Sequence, residues 1–215
     1  MARFSAVYDA CVLYPAPLRD LLMQLATAHL FRAKWTNQIH DEWIAALLRD
    51  RSDIPKDRLL HVVDLMNEAV PDALVSGYEH LVDAIKVPDP KDRHVVAAAI
   101  HAKCDAIITY NLKDFPAETL ARYNLEAIHP DDFINHQINL DEAKVVVAAQ
   151  KCCSRLTNPP KTGEEYLSAL EKQALPKTVA FLRQYVSVFC AFRDTKDEAP
   201  AAQVIDLRNR RSKSP

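Results

Sequence analysis

Short apolar segments rich in β-branched residues alternate with amphipathic helical segments along the first part of the chain. The spacing of apolar residues predicts helices over 18–31, 38–51, 56–70 and 90–103. Strand candidates lie at 4–8, 32–36, 106–110 and within 125–136, where a turn is expected to follow the strand. Strands that alternate with helices favour an α/β fold of three layers, with a central, mostly parallel sheet flanked by helices.

Polar residues follow two of these predicted strands. Asp9 ends the first strand, and Asn111 and Asp114 come just after the segment 106–110. Functional crevices of parallel sheets lie beyond the carboxyl ends of the strands. We therefore expect these side chains to border a site.

The pattern changes at about residue 139, after which no strand is predicted. Three helices are expected over 140–156, 162–175 and 177–192, where Thr162 with Glu165 has capping-box spacing and Pro176 closes the second helix. The predicted organisation is a domain of residues 1–138, a helical extension of residues 139–195 and a polar, disordered tail of residues 196–215.

Composition removes several function classes. The chain has 215 residues, 49% of them hydrophobic and 26% charged, which is typical of a globular protein. Its 2 glycines cannot form a glycine-rich phosphate loop, which argues against P-loop NTPases and dinucleotide-binding Rossmann proteins. Its 5 cysteines lack CxxC spacing, which argues against a zinc site and a disulfide framework. No apolar run is long enough to span a bilayer and no signal pattern is seen, so we expect a cytoplasmic protein.

Four carboxylates are expected to converge at the ends of these elements. Taken singly, each has an ordinary structural interpretation: Asp89 before Pro90 fits a helix cap, for example. Together they would repel one another unless a cation neutralised them. An all-oxygen ligand set favours Mg²⁺ or Mn²⁺, and the chemistry suited to that ion is phosphodiester hydrolysis. The four are Asp9, Glu42, Asp92 and Asp114.

The motifs around these acids resemble those of the PIN domain, the nuclease fold of VapC-type toxins in bacterial toxin–antitoxin pairs. The chain reads "VYDAC" at Asp9, "HDEWIAAL" at Glu42, "DPKDRHVVAAAI" at Asp92 and "TYNLKDFP" at Asp114. The last two motifs in tandem are the specific ones. The resemblance covers residues 4 to about 135, and the helical segment after it fits a subgroup of bacterial PIN proteins.

The resemblance implies roles for individual residues. Asp9 and Asp92 are the implied primary metal ligands, and Glu42 and Asp114 complete the acidic site directly or through water. Three further residues are expected to support the site, two by shaping the turn that aims Asp114 and one as an additional acid: Thr109, Asn111 and Asp89. The implied function is that of a Mg²⁺- or Mn²⁺-dependent ribonuclease with an RNA substrate, a cognate antitoxin and a homodimeric state.

Two other interpretations remain open. A PIN-like module without catalysis could bind RNA or a partner protein, although the full set of acids argues against it. A haloacid dehalogenase-type phosphatase would need Asp-x-Asp at the first strand, whereas this chain reads Asp9-Ala10-Cys11. With a net charge of −2, RNA binding requires local basic residues. The candidates are Arg19, Lys34, Lys91, Arg93, His94, Lys113 and the tail residues Arg208, Arg210, Arg211 and Lys213.

Overall fold

The computed structural model describes residues 4–190, which are built around a parallel sheet of four strands. The strand order is β2-β1-β3-β4, and all three pairings are parallel. The strands are β1 (Ser5–Tyr8), β2 (Arg32–Lys34), β3 (Ala106–Ile108) and β4 (Glu126–Ile128). The predicted α/β architecture, with helices flanking a parallel sheet, is confirmed.

The helices account for most of the remaining chain. The α-helices are α1 (Ala10–Leu13), α2 (Ala16–Thr27), α3 (Asn37–Asp50), α4 (Lys56–Ala69), α5 (Arg93–His101), α6 (Ala117–Leu120), α7 (Pro130–Leu140), α8 (Glu142–Ser154), α9 (Gly163–Glu171) and α10 (Pro176–Leu182). Shorter 3₁₀ segments are Glu79–Ala84, Pro90–Asp92, Leu112–Asp114, Ala121–Tyr123 and Arg183–Cys190.

Position in the sheet explains the composition of the strands. Every residue of β1 and β3 is buried, as expected for inner strands covered on both faces. The outer strands begin with the exposed residues Arg32 and Glu126. The chain runs from β1 to β2 on one side and later returns to β3 on the other. The carboxyl ends of β1 and β3 therefore form a topological switch point, where sheets of this kind place their ligands.

Two sequence interpretations of helix ends were wrong. The segment after β4 was interpreted as a turn, but Pro130 opens α7 and Asp131 and Asp132 lie in its first turn. Both are helix-start signals, since proline suits the first helical position and acids favour the helix N-terminus. Pro176 does not close a helix: α9 ends at Glu171, and Pro176 begins α10. The capping box of Thr162 and Glu165 is confirmed.

The C-terminal helices pack against the sheet domain. Helix α8 packs against α2, and α10 packs against α7. The buried carboxylate of Asp131 in α7 accepts hydrogen bonds from the backbone N–H groups of Lys177 and Thr178, both at 2.9 Å, and from the Thr178 hydroxyl at 2.8 Å. These are first-turn groups of α10, so Asp131 caps a helix distant in sequence.

A buried polar network lies between α2 and α3. The Trp43 indole N–H donates to Nδ1 of His40 at 3.0 Å, and the Arg19 guanidinium lies 4.6 Å from the centroid of the Trp43 ring. Burial, and secondarily the charge of Arg19, lowers the pKa of His40 to about 4. His40 is therefore neutral in the folded protein at neutral pH.

Acidification should destabilise the protein through His40. Its folded pKa of about 4 lies below the ordinary value of 6.5, so the unfolded chain takes up the proton first as pH falls through this window. At 1.36 kcal/mol per unit, the loss reaches about 3 kcal/mol near pH 4. Chemical denaturation from pH 7 to pH 4 should show a steeper decline for wild type than for His40→Gln, which keeps an acceptor but does not titrate. Equal pH slopes would contradict this role of His40.

Candidate active site

Asp9 lies at the centre of the switch point, directly after β1. Its N–H continues the sheet ladder by donating to the Ile108 carbonyl at 3.1 Å, and the residue is only 5% exposed. Its Oδ2 accepts hydrogen bonds from the Thr109 hydroxyl at 2.7 Å and from the Cys11 thiol at 3.0 Å. Asp9 is thus held by the sheet through its backbone and by two hydrogen-bond donors through its carboxylate.

The turn after β3 is organised by Thr109. Its N–H donates to the Ile128 carbonyl at 3.1 Å, and its hydroxyl accepts the N–H of Asn111 at 3.0 Å while donating to Asp9. The Asp114 N–H then donates to the Asn111 carbonyl at 2.9 Å, which closes the 3₁₀ turn. Thr109 is fully buried, Asn111 is exposed, and Asp114 is partly buried.

Asp92 occupies the start of α5 and responds electrostatically to three other acids. Burial first, and then the negative charges of Asp9, Asp89 and Asp114, raise its pKa from 3.8 to about 6, while His94 opposes the shift. Asp89 is exposed and caps the preceding 3₁₀ turn, with its Oδ1 accepting the Lys91 N–H at 2.9 Å. The acids predicted from separate motifs therefore influence one another in the fold.

Glu42 stands on α3 and reaches the same helix as Asp92. Its Oε1 lies 2.9 Å from Nε2 of His94, whose side chain is only 3% exposed, although the N–H is not aligned for a hydrogen bond. Glu42 itself remains partly exposed. The contact links α3 to α5, and it places Glu42 beside α5 rather than among the groups that shift the pKa of Asp92.

Cys11 is a site residue that the sequence interpretation missed. Its sulfur donates to Asp9, lies 3.4 Å from the Thr109 hydroxyl and accepts the N–H of Tyr110 at 3.3 Å. Burial, followed by the charge of Asp9, raises the thiol pKa to about 12, so the thiol stays protonated and able to donate. The available signal was its position two residues after the strand-ending aspartate, at the first turn of α1.

Several predicted basic contacts are corrected by the structure. Arg19 is completely buried against Trp43 and cannot face a phosphate from that position. His94 is buried and contacts Glu42, so it is not a surface residue. Lys34 donates to the Asp72 carbonyl. Lys91 and Lys113 are exposed near the acids, Arg93 is partly buried, and the basic tail lies outside the described residues.

The carboxylates near Asp92 provide oxygen ligands of the kind that Mg²⁺ and Mn²⁺ prefer, and a bound cation would oppose the burial and the negative charges that raise the pKa of Asp92. Within residues 4–190, however, no group of three or more His, Cys, Asp or Glu side chains is arranged so as to hold a metal ion. The residues fit the ion in chemical type, whereas a formed coordination shell is not seen among them.

Sequence comparison identifies the fold family. A family model described as the PIN domain matches residues 5–113, which include Asp9, Glu42, Asp89 and Asp92 and end one residue before Asp114. The chain belongs to the PIN domain family. A second model, described as the VapC50 C-terminal domain, matches residues 130–184 and covers α7 to α10 of this PIN protein. The predicted resemblance to VapC-type PIN proteins is confirmed.

A curated relative extends this assignment. The PIN protein is 37% identical over 112 residues to the Mycobacterium tuberculosis (strain ATCC 25618 / H37Rv) protein named "Putative ribonuclease VapC50". The match covers 52% of this chain and 65% of that relative. No solved structure matches significantly. Within the described part of the chain, none of the helices combines the length and apolar character needed to cross a bilayer.

Proposed function

We propose that this PIN protein is a divalent-metal-dependent endoribonuclease, the toxin of a bacterial type II toxin–antitoxin pair. The observation that carries the proposal is that Asp9 and Asp114, which follow the switch-point strands β1 and β3, lie close enough to Asp92 for their charges to raise its pKa. The name of the M. tuberculosis relative supports a ribonuclease rather than another phosphodiesterase.

The proposed roles follow from how each side chain is held. Asp9 and Asp92 would hold the metal ion, since one is fixed by the sheet and the other stands at the start of a helix. Asp114 and Glu42 would complete the acidic site directly or through water. When bound, Mg²⁺ or Mn²⁺ supplies Lewis-acid charge for phosphodiester hydrolysis.

The supporting residues keep these acids oriented. Thr109 fixes one oxygen of Asp9, and Thr109 with Asn111 shapes the turn that carries Asp114. Asp89 is proposed as an additional negative charge near Asp92 rather than as a ligand, because it is exposed and engaged as a cap. Exposed Lys91 and Lys113 are the basic residues best placed to meet phosphates.

Partners, location and domain limits remain predictions. A cognate antitoxin and a homodimer follow from the resemblance, and the cytoplasmic location stays an expectation from the sequence. Single-stranded or looped RNA is the expected substrate because its backbone is accessible. The division at 138/139 falls inside α7, which continues to Leu140. The tail of residues 196–215 lies outside the described residues.

One observation favours the alternative of a catalytically inactive binding module. Among residues 4–190, the acids do not gather as three potential ligands around one point. Such a module would bind RNA or a protein without cleaving it. The two functions differ in whether the protein cleaves RNA when a divalent metal ion is present.

Removing the metal should abolish cleavage. The protein is purified free of other proteins and mixed with a pool of structured and single-stranded RNA. It is expected to cleave this RNA with Mn²⁺ or Mg²⁺ and to leave it intact in EDTA. Asp9→Asn should lower the rate at least about 100-fold, because it removes a charge aimed at the reacting groups. Gel or mass-spectrometric product analysis measures both effects.

The matched control is Asp105→Asn at the opposite end of the same strands. Asp105 accepts the Ser5 N–H at 2.7 Å and plays no part in the acidic site, so its variant should retain activity. RNA binding without cleavage under every metal condition, with equal behaviour of Asp9→Asn and wild type, would establish the inactive module instead.

A further inference from the structure

Tyr110 joins the active-site turn to the C-terminal helices. Its hydroxyl donates to the Gln173 carbonyl at 2.7 Å, a contact between residues 63 positions apart. Its ring lies 5.2 Å from that of His129, the N-cap residue of α7, in an edge-to-face arrangement. The side chain is partly buried, and burial raises its pKa above the ordinary value, so the hydroxyl remains a donor.

The receiving carbonyl is itself fixed. The Gln173 N–H donates to the Leu170 carbonyl at 2.8 Å, and the next residue, Ala174, has a left-handed φ of 53° that turns the chain out of α9. A short distance on, α10 begins with its first-turn N–H groups bound to the carboxylate of Asp131. The α9–α10 connection, residues 172–175, is therefore anchored to α7 and presents Gln173 to Tyr110.

The other end of Tyr110 is part of the acidic site. Its N–H donates to the Cys11 sulfur, which in turn donates to Asp9. Its neighbour Thr109 holds the same carboxylate oxygen, and Asn111 on its other side closes the turn that carries Asp114. A displacement of Tyr110 would therefore shift both Asp9 and Asp114.

We propose that the α9–α10 connection positions the active-site turn of the PIN domain, residues 109–114. Tyr110 is the positioning residue, because its hydroxyl binds the Gln173 carbonyl of that connection. The inference rests on the proposed nuclease function and gives the C-terminal helices a role in it. Tyr110 touches no reacting group. It limits the motion of the turn that carries Thr109, Asn111 and Asp114.

Removing the Tyr110 hydroxyl in the full-length protein tests the inference. Tyr110→Phe keeps the ring against His129 and loses only the bond to Gln173. We expect kcat to fall about tenfold with little change in KM, at the lower end of the 10- to 100-fold effects of residues that orient ligands. Backbone amide hydrogen exchange in residues 109–114 should be faster than in wild type, while exchange in β1 stays unchanged.

Tyr14→Phe is the matched control. It also removes one tyrosine hydroxyl bond, the 2.6 Å contact with Oδ2 of Asp50, but it is not part of the acidic network. This variant should keep wild-type kcat and wild-type exchange in residues 109–114. An effect shared by both variants, a normal kcat in Tyr110→Phe of an active enzyme, or unchanged exchange in residues 109–114 of that variant would overturn the positioning role.

The exchange measurement separates this inference from the proposed function. If wild-type protein cuts no RNA with either metal, the nuclease proposal fails, and the role of Tyr110 is judged by exchange alone. Faster exchange confined to the turn in Tyr110→Phe then still supports a structural hold by the C-terminal helices. Unchanged exchange refutes it whatever the enzyme does.

Discussion

The Asp92→Asn protein is expected to lose RNA cleavage at least about 100-fold while becoming more stable in metal-free buffer. The folded pKa of Asp92 is raised from 3.8 to about 6, which means that its charge is unfavourable in the fold before a cation is added. Asparagine keeps the shape and removes the charge. A site built for catalysis at the expense of stability should show both changes together.

The gain in stability of Asp92→Asn should be small. Because the site is half-exposed, solvent screening reduces the gain to about 1 kcal/mol, or about 2 to 4 °C in Tm for a chain of this length. The helix dipole at the start of α5 favours the charged carboxylate and reduces this gain by about 0.3 to 1 kcal/mol.

The advantage of the variant should depend on pH. Below pH 3.8 the carboxyl is protonated in both folded and unfolded chains, so wild type and variant differ little. Between pH 3.8 and pH 6 the unfolded wild-type chain releases this proton while the folded chain retains it, so wild type loses stability relative to the variant, and the loss is complete above pH 6. Thermal unfolding in EDTA between pH 4 and pH 8 measures the difference.

Asp89→Asn provides the control for this prediction. Asp89 is three residues from Asp92, but it is exposed, and asparagine can still cap the turn. Its charge is a smaller cause of the raised pKa of Asp92 than burial or Asp9, so its stability and cleavage should change much less than those of Asp92→Asn. If Asp92→Asn were less stable than wild type at pH 8 in EDTA, the carboxylate of Asp92 would be a structural group, and its assignment to a metal site would be undermined.

Local patterns were enough to predict the sheet and to predict that the polar residues after its strands lie close together. β1 and β3 are short, apolar and followed at once by Asp9 and Thr109, and parallel pairing brings such ends together at one edge. The acids on α3 and α5 could be placed on their helices from periodicity. The resemblance to the PIN domain then supplied their relation to one another.

What could not be predicted depends on contacts between distant segments. Nothing near Glu42 in sequence indicates that it contacts buried His94, and Arg19 looks like a surface cation until Trp43 is packed against it. Tyr110 stands between two recognised motif residues, but its partner Gln173 is a backbone carbonyl without a sequence signature. Only the tertiary fold brings these groups together.

Replacing Asp131 by alanine is expected to cause the largest loss of stability, about 3 to 5 kcal/mol, because it removes a buried acceptor of hydrogen bonds. Asp131 is 3% exposed, and its two oxygens accept three hydrogen bonds from Lys177 and Thr178. Alanine would leave the N–H and the hydroxyl of Thr178 buried without this partner, at about 1 to 3 kcal/mol for each unsatisfied group before relaxation. Urea unfolding, followed by circular dichroism, gives the free energy.

Asp132→Ala is the control, because it removes an exposed carboxylate next to the buried one of Asp131. Asp132 also pairs with Lys177, but through an exposed ion pair between side chains that contributes at most about 1 kcal/mol. Asp131→Asn should fall between the two alanine variants, since it keeps one acceptor oxygen and loses the other. If Asp131→Ala cost no more than Asp132→Ala, α10 would be held mainly by its apolar contacts with α7, and Asp131 would not be the anchor that keeps Gln173 in reach of Tyr110.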